Sequence, residues 1–492
     1  MEKNIKTVKI VEVRINLGRD GKREPKECIT KKFEIEMVGG IGVDKRSEFS
    51  SKIGFVLAAA GSAVGLGNIW RFPYLAAKYG GGLFLVIYLI FVVTLGFAIM
   101  TAELAIGRKT QLSPVGAYRA LDKRFSFVGI IASLVAFLIL PYYSVIGGWV
   151  IKYFAVFVTG GGIATAGGDY FSGYIAQPLE PILWQSIFVL ATTFVVIRGV
   201  KDGIEKASKI LMPILIVMSV FLSIYSIMQP GAMAGVWYFL YPDLANFSFQ
   251  AVLAAMGQMF YSLSLAMGIM VTYGSYLSKK DDLETSVKQI EMFDAGIAIL
   301  AGFMIIPAVF AFSGGDPSAL NKGPGLMFVT LPKVFETMAF GNVTGGAFFL
   351  LVLFAALTSS ISLMEAVVAT ACDQFKWERK KGVLIIAVLA ILVGIPSSLG
   401  QGIWSNVHIF GFTFLDFFDF ITNSILMPVG AFFTCILVGH VLETKIITDE
   451  VKLSSPFKRE KLFIIMVKYV APLCIIGILI SSILEALGVI KY

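Results

Sequence analysis

The sequence predicts an all-α polytopic membrane protein with eleven transmembrane helices. Hydrophobic residues make up 57% of the 492 positions and charged residues only 15%, a composition that soluble domains of this length do not have. Stretches of roughly 20 apolar residues, the length that crosses the hydrocarbon core of a bilayer, recur along the chain. Lys and Arg are concentrated in short loops between these stretches, as is typical of membrane proteins.

The chain divides into three regions. Residues 1–45 are polar and highly charged without helical or strand periodicity, which favours a solvated cytoplasmic tail. Residues 46–440 form a core with predicted helices 1–5 and 6–10, and residues 441–492 contain a cytoplasmic loop and helix 11. The predicted helices comprise residues 53–77, 83–106, 127–158, 182–198, 207–229, 250–277, 290–313, 343–371, 382–400, 413–440 and 462–490.

The distribution of basic residues predicts the orientation of the chain. Loops after helices 2, 4, 6, 8 and 10 are rich in Lys and Arg, whereas those after helices 3, 5 and 9 contain none. The amino terminus is therefore predicted to be cytoplasmic and, because the number of helices is odd, the carboxyl terminus extracellular. This asymmetry accounts for the net charge of +8 without a nucleic-acid partner. The four cysteines lack metal-like spacing and predict no disulfide framework.

The first predicted helix is interrupted between Gly61 and Pro73 by three glycines and by Asn68. In hydrocarbon a broken helix is tolerated only where its freed N–H and C=O groups face protein, ions or a water-filled cavity. The unwound turn offers carbonyl oxygens to a hard cation, and the half-helix after it presents N–H groups to an anion. A glycine packing face is the alternative. A buried amide and Arg71 are not needed for packing, so we interpret the interruption as a binding site.

The sixth predicted helix carries a second interruption. Residues 257–268 place hydroxyl, amide and small side chains at membrane depth, five helices after the first break. Interrupted helices in corresponding positions of two five-helix halves indicate a 5+5 inverted repeat with a binding site at the midplane. We therefore expect helices 1 and 6 to be unwound at the centre of the membrane.

Polar side chains in three other helices extend this predicted site. Thr358, Ser359 and Ser360 follow one another in helix 8, and hydroxyls grouped with unwound carbonyls suit an alkali cation. Back-bonding to their own helix is the alternative for each hydroxyl. Asp294 in helix 7 is costly in hydrocarbon and is thus a functional candidate. We assign Glu103 in helix 2 to holding backbone N–H groups of an unwound helix.

Five motifs, in this order along the chain, resemble those of the neurotransmitter:sodium symporter family. The similarity extends from about Arg46 to Val470, and eleven helices resemble prokaryotic members such as bacterial leucine and tyrosine transporters. The motifs are Gly61–Pro73 with Lys78–Gly82, Tyr142-Tyr143 with Trp149, Gly257–Gly268, Gly323-Pro324-Gly325 with Thr330-Leu331-Pro332, and Leu357–Ser360.

The resemblance implies two sodium sites and no organic cofactor. The substrate's own carboxylate would join the first sodium site, so that ion and substrate reinforce each other's binding. The first site would comprise Ala63, Asn68, Ser262 and Asp294, and the second Gly61, Val64, Ala355, Thr358 and Ser359.

The resemblance also implies an amino-acid pocket. Gly65 occupies the position at which monoamine carriers have an aspartate that pairs with the substrate ammonium. Glycine at this position favours an amino acid as the substrate. The mostly apolar lining favours a hydrophobic or aromatic side chain, because a charged one would lose its hydration without compensation. Met267 and Ala266 depart from the phenylalanine and glycine of the leucine transporter, and which amino acid fits stays open. The pocket would be lined by Ala63, Leu66, Gly67, Ile139, Tyr143, Tyr261, Ser262, Ser264, Met267, Ser359 and Leu363.

Further implied features are the anion requirement and the gates. Tyr88, Gln258 and Ser262 match parts of the chloride site of animal relatives, but Asp294 would supply a fixed negative charge, which predicts chloride-independent transport. Glu291 is the alternative carboxylate. Arg71 with Asp419 would close the outer side, and the inner side would be closed by Arg46, Tyr276 and Asp373.

An ion channel and a membrane-embedded enzyme are the two alternative functional classes. An ion channel also places polar residues at membrane depth, but paired interrupted helices favour alternating access. A membrane-embedded enzyme is disfavoured, because the only histidines, His408 and His440, form no metalloprotease motif and no nucleophile–base pair is visible at depth. The prediction is thus a sodium-coupled amino-acid symporter of the cell membrane, with a monoamine or osmolyte as the alternative substrate. A homodimer is suggested only by analogy.

Overall fold

The computed structural model describes residues 48–316, 319–320 and 324–486, which form helices and turns without any strand. The predicted tail at 1–45 and the predicted gate residue Arg46 lie outside the described residues. The principal helices are α1 Lys52–Ala63, α2 Gly67–Lys78, α3 Gly82–Thr110, α4 Pro114–Leu121, α5 Lys123–Val158, α6 Tyr170–Ile175, α7 Glu180–Val196, α8 Val200–Ile227, α9 Met233–Leu240, α10 Phe249–Ser262, α11 Ile269–Gly274, α12 Leu283–Ser313, α13 Leu331–Thr337, α14 Gly341–Phe375, α15 Arg379–Leu399, α16 Phe414–Val441, α17 Lys445–Val451 and α18 Glu460–Leu484.

Every segment predicted to cross the membrane contains helix in the structure. In the described part of the chain, eight helices are long and apolar enough to span a bilayer, and α1 with α2 forms a ninth span bent by 51°. The two remaining predicted spans are α7, whose 17 residues rise only about 26 Å, and the interrupted pair α10 and α11. Length and composition therefore support a multi-pass membrane protein while leaving two predicted crossings untested.

The outward faces of the helices are apolar. On α8, Val217, Phe221 and Ile224 are 68%, 64% and 55% exposed, and their i, i+4, i+7 spacing places them on one side of the helix. Such an exposed stripe would be costly in water and is expected of a surface that contacts lipid.

Helix α1 ends where its hydrogen-bond ladder stops. The Val64 N–H still donates to the Ala60 carbonyl at 2.7 Å, but Val64 is extended (φ −80°, ψ 95°) and helix resumes only at Gly67. Helix α10 ends at Ser262 because the backbone that follows leaves the right-handed helical conformation. Ser264, Ala266 and Gly268 have φ of 52°, 58° and 72°, a left-handed conformation that cannot continue a right-handed helix.

The two breaks contact each other at the centre of the fold. The Ser264 hydroxyl donates to the Ser62 carbonyl at 2.9 Å, and the Gln258 side-chain amide donates to the Gly67 carbonyl at 2.9 Å. From α3, the buried Glu103 carboxylate accepts the Ala266 N–H at 2.8 Å, which is the contact expected of it. These contacts satisfy some of the backbone polar groups at the two breaks.

Candidate functional site

A cavity lies between the two breaks and is closed laterally by α5 and α14. The space between its wall atoms, counting the part that is open to solvent, is about 350 Å³. All eleven residues predicted to line the substrate pocket lie on its wall, together with Ser62, Gly65 and Ile269. Sequence reasoning did not place Ser62 in the pocket, although its position in the first break was the available signal.

At two positions of the wall, a residue larger than glycine would displace a neighbouring side chain. A β-carbon on Gly67 would lie 2.6 Å from the Tyr261 ring, and one on Gly65 would lie 2.5 Å from the Ser359 hydroxyl. Both separations are shorter than any van der Waals contact. The backbone at the first break therefore approaches the side chains of α10 and α14 directly.

Tyr143 presents an unused hydroxyl to this backbone. The residue is 4% exposed, and its hydroxyl lies near the Leu66 N–H and the Ser359 hydroxyl without forming a hydrogen bond of acceptable geometry. A buried hydroxyl without a partner carries a desolvation cost. An acceptor placed in the cavity, such as a carboxylate, would relieve that cost.

The three side chains predicted for the first sodium site, those of Asn68, Ser262 and Asp294, form one buried cluster with Tyr88. The Asn68 amide donates to the Ser262 hydroxyl at 2.9 Å and to an Asp294 carboxylate oxygen at 2.8 Å. Ser262 and Tyr88 donate to the two oxygens of that carboxylate, each at 2.5 Å. The Asn68 side-chain oxygen accepts the Gly65 N–H at 3.1 Å, which ties the cluster to the break in the first span.

The cluster contains a negative charge without a positive partner. Asn68, Gln258 and Asp294 are each 0% exposed, and within the described residues no Lys or Arg side chain lies within 4 Å of the Asp294 carboxylate. The hydrogen-bond donors to that carboxylate are neutral groups. Since an isolated buried anion is costly, the arrangement favours binding of a small cation.

Glu291, the alternative carboxylate, lies elsewhere. It accepts a hydrogen bond from the Arg459 guanidinium at 3.2 Å, whereas Asp294 is the residue that reaches Asn68. The structure therefore places Asp294 in the cluster and gives Glu291 a different partner.

Four of the five residues predicted for the second sodium site, Gly61, Ala355, Thr358 and Ser359, lie close together. The Ser359 hydroxyl lies 3.4 Å from the Gly61 carbonyl, and a β-carbon on Gly61 would lie 3.1 Å from Thr358 Cβ. The Thr358 hydroxyl donates to the Ala355 carbonyl at 3.0 Å, so it is back-bonded in the manner of the structural alternative. Val64 is buried at the end of α1. These residues bring carbonyl and hydroxyl oxygens together where α1 meets α14.

The predicted gate residues have other contacts in this structure. The Arg71 guanidinium lies 5.2 Å from the centre of the Tyr261 ring, and Asp419 accepts hydrogen bonds from Tyr142 at 3.2 Å and Asn423 at 2.7 Å. Arg71 and Asp419 therefore lie near the cavity without forming a direct ion pair within 4 Å.

On the opposite side, the Tyr276 hydroxyl donates to Glu365 at 2.6 Å, and Asp373 accepts the Ser113 N–H at 2.9 Å. Arg379 donates to both carboxylate oxygens of Glu365, at 3.0 and 2.5 Å. Sequence reasoning missed Arg379. The signal that could have indicated it was the need of the fully buried Glu365 for a cationic partner.

The chain is similar to known sodium-dependent transporters. A model of the sodium:neurotransmitter symporter family matches residues 46–161 and 176–492. YhdH, an uncharacterised sodium-dependent transporter of Bacillus subtilis, is 38% identical over 446 residues, covering 89% of this chain and 98% of that protein. The human sodium- and chloride-dependent GABA transporter 2 is 26% identical over 408 residues, covering 72% of this chain and 67% of that protein.

A solved structure is similar throughout the membrane region. The crystal structure of MhsT in complex with L-phenylalanine is 40% identical, has a TM-score of 0.81, and covers 89% of this chain and 100% of that chain. The family match includes both breaks and α14. The chain therefore belongs to the sodium:neurotransmitter symporter family and is a sodium-dependent, multi-pass membrane transporter rather than an enzyme.

Proposed function

We propose that this protein is a symporter that couples sodium entry to uptake of a hydrophobic or aromatic L-amino acid, without requiring chloride. The observation that carries the proposal is the buried, unneutralised Asp294 cluster directly beside a cavity with an apolar wall. Ser262 belongs to both, since it lines the cavity and donates to Asp294. A cation in the cluster would therefore lie next to the carboxylate of a substrate.

Coupling follows from this proximity. Sodium at the first site, held by Ala63, Asn68, Ser262 and Asp294, gains attraction from the substrate carboxylate, and linkage makes the gain reciprocal. The carboxylate would also accept from the N–H groups of Leu66 and Gly67 and from the Tyr143 hydroxyl. A second sodium held by Gly61, Val64, Ala355, Thr358 and Ser359 would fix α1 to α14.

The side-chain compartment favours apolar substrates. Ile139, Met267, Ile269 and Leu363 contribute its wall, and a charged substrate side chain would lose its hydration there without compensation. The similar protein MhsT was crystallised with L-phenylalanine, which supports an aromatic substrate. Another zwitterion or an amine is the alternative, and it is less suited because Gly65 offers no carboxylate to an ammonium.

Transport would proceed by alternating access in the cell membrane. The proposed topology has eleven crossings in a 5+5 inverted repeat, with both breaks at the midplane, a cytoplasmic amino terminus and an extracellular carboxyl terminus. Arg71 and Asp419 would approach when the outer side closes, and Arg46, Tyr276 and Asp373 would close the inner side. Ion pairs of this kind strengthen as closure excludes water. A homodimer remains a proposal by analogy with other transporters.

The test is equilibrium binding of labelled amino acids and amines to the purified full-length protein, in sodium and then in potassium. We expect one hydrophobic or aromatic amino acid to bind in sodium only, with the same affinity in chloride and gluconate. Equal binding in both cations would contradict sodium coupling. A strict chloride requirement would contradict the assignment of Asp294.

Replacing Tyr143 with phenylalanine is expected to weaken substrate binding about tenfold, the loss that accompanies one hydrogen bond to a charged group. Sodium binding in the absence of substrate should be unchanged, because Tyr143 does not contact the Asp294 cluster. Isothermal titration of the substrate, with Tyr241→Phe on the exposed surface as the matched control, measures the effect. An unchanged substrate affinity would show that the carboxylate does not reach Tyr143.

A further inference from the structure

The N-terminal end of α1 is joined to α8 by one buried carboxylate. Glu205 is 1% exposed and accepts hydrogen bonds from the Ser50 N–H at 2.7 Å, the Ser50 hydroxyl at 2.6 Å and the Ser51 hydroxyl at 2.9 Å. Lys209, one turn along α8, supplies a fourth donor at 2.6 Å. Three of these four donors come from the residues that precede α1, about 155 positions away in the chain.

The contact is close and directional. Ser51 is also the N-cap of α1, since its hydroxyl accepts the Gly54 N–H at 3.1 Å. A β-carbon on Gly54 would overlap the Glu205 carboxyl group, so glycine is needed for the first turn of α1 to pack on it. Glu205 therefore binds the capped end of the helix itself, where the helix dipole also favours a negative charge.

The same two helices remain in contact up to the second sodium site. A β-carbon on Gly61 would lie 3.3 Å from Met212 Sδ, and Met212 follows Glu205 by two helical turns, about 10 Å. Helix α8 thus contacts α1 from its N-cap to the carbonyl that would hold sodium. Any motion that carries α1 away from α8 separates Glu205 from its three donors.

We propose that Glu205 is a latch that holds α1 against α8 and thereby sets the equilibrium between closed and open states of the cytoplasmic side. The inference rests on the proposed function, because release of sodium to the cytoplasm requires α1 to leave the second site. While the latch is closed, the α1 carbonyls keep their place beside Thr358 and Ser359. Opening exposes Glu205 to water. Water molecules then replace the lost hydrogen-bond donors and limit the free-energy cost of opening.

The test is hydrogen–deuterium exchange of the segment 52–60 in the purified full-length protein, in sodium and in potassium, without substrate. In Glu205→Gln, exchange in low sodium is expected to rise about tenfold, the scale of losing hydrogen bonds to a charged group. Saturating sodium should restore protection by shifting the population back to the closed state. If the substitution only damaged local packing, sodium would not restore protection. Ser50→Ala combined with Ser51→Ala should give the same change.

Asp202→Asn is the matched control, because its carboxylate lies in the same turn of α8 but pairs with the exposed Lys206 at 2.7 Å. If segment 52–60 exchanges at the same rate in Glu205→Gln as in Asp202→Asn, the proposal that Glu205 is a latch is wrong. Unchanged protection of α12 verifies that each variant is folded, and the serine double variant provides the test if Glu205→Gln is unfolded. Failure of all amino acids to bind the wild type would refute the proposed function alone, since exchange is measured without substrate.

Discussion

Replacing Asn68 with alanine is expected to abolish sodium-dependent substrate binding, with the apparent sodium affinity falling about 100-fold or more. The Asn68 amide connects the break in the first span to the Asp294 cluster through its contacts with Gly65, Ser262 and Asp294. Loss of a hydrogen bond to a buried charged group costs about 1.5–3 kcal/mol, which corresponds to about 10- to 100-fold in affinity. The alanine also removes an oxygen that would coordinate sodium.

The measurement is a sodium titration of substrate binding at fixed substrate concentration. Asn406→Ala, on an exposed loop, is the matched control and should titrate as the wild type does. A variant at Asn68 that retains sodium-dependent binding within a few-fold of wild type would contradict the placement of the first sodium site.

Replacing Asp294 with asparagine is expected to make sodium binding depend on chloride. The amide oxygen can still contact a cation, but the substitution removes the fixed charge from a site where, among the residues that the structure describes, no Lys or Arg side chain lies within 4 Å. Sodium would then be taken into a neutral cavity, and the loss of a buried opposite charge at contact distance costs several kcal/mol. Chloride beside Tyr88, Gln258 and Ser262 would return the missing charge.

The experiment compares sodium titrations in chloride and in gluconate. The wild type should be identical in both, whereas Asp294→Asn should bind about 100-fold more weakly in gluconate and recover most of that loss in chloride. Glu291→Gln is the control on the same helix, because Glu291 pairs with Arg459. If Asp294→Asn binds sodium equally well in chloride and in gluconate, the Asp294 carboxylate is not the negative charge that balances the sodium ion.

The positions of the pocket residues could be predicted because they lie on two interrupted helices and their neighbours. Gly65, Gly67 and Asn68 violate the rule that a membrane helix stays continuous and apolar, so the violation itself indicated the site. The family resemblance then assigned roles within it. The Glu103 contact with Ala266 was predictable for a related reason, since unwound N–H groups in a membrane need acceptors.

Other contacts depend on elements distant in the chain and were not predictable. Glu291 and Asp294 are three residues apart and hence lie on one side of α12, and the family resemblance favoured Asp294 with Glu291 as the alternative. Their hydrogen-bond partners distinguish them, because Asn68 from the first span contacts Asp294 and Arg459 contacts Glu291. Arg379 and Glu365, and likewise Glu205 and Ser50, meet only because separate helices pack together.

By itself the sequence determined the membrane class, the helical segments, the two breaks and the residue types around them. Hydropathy, helix-breaking residues and buried polar groups act locally, and each is readable from a short stretch of chain. The tertiary structure decided which carboxylate joins Asn68, that Thr358 is back-bonded while Ser359 reaches the Gly61 carbonyl, and that Arg71 lies over Tyr261. These outcomes depend on helix rotation and packing, which fix side-chain partners across hundreds of residues and leave no local trace in the sequence.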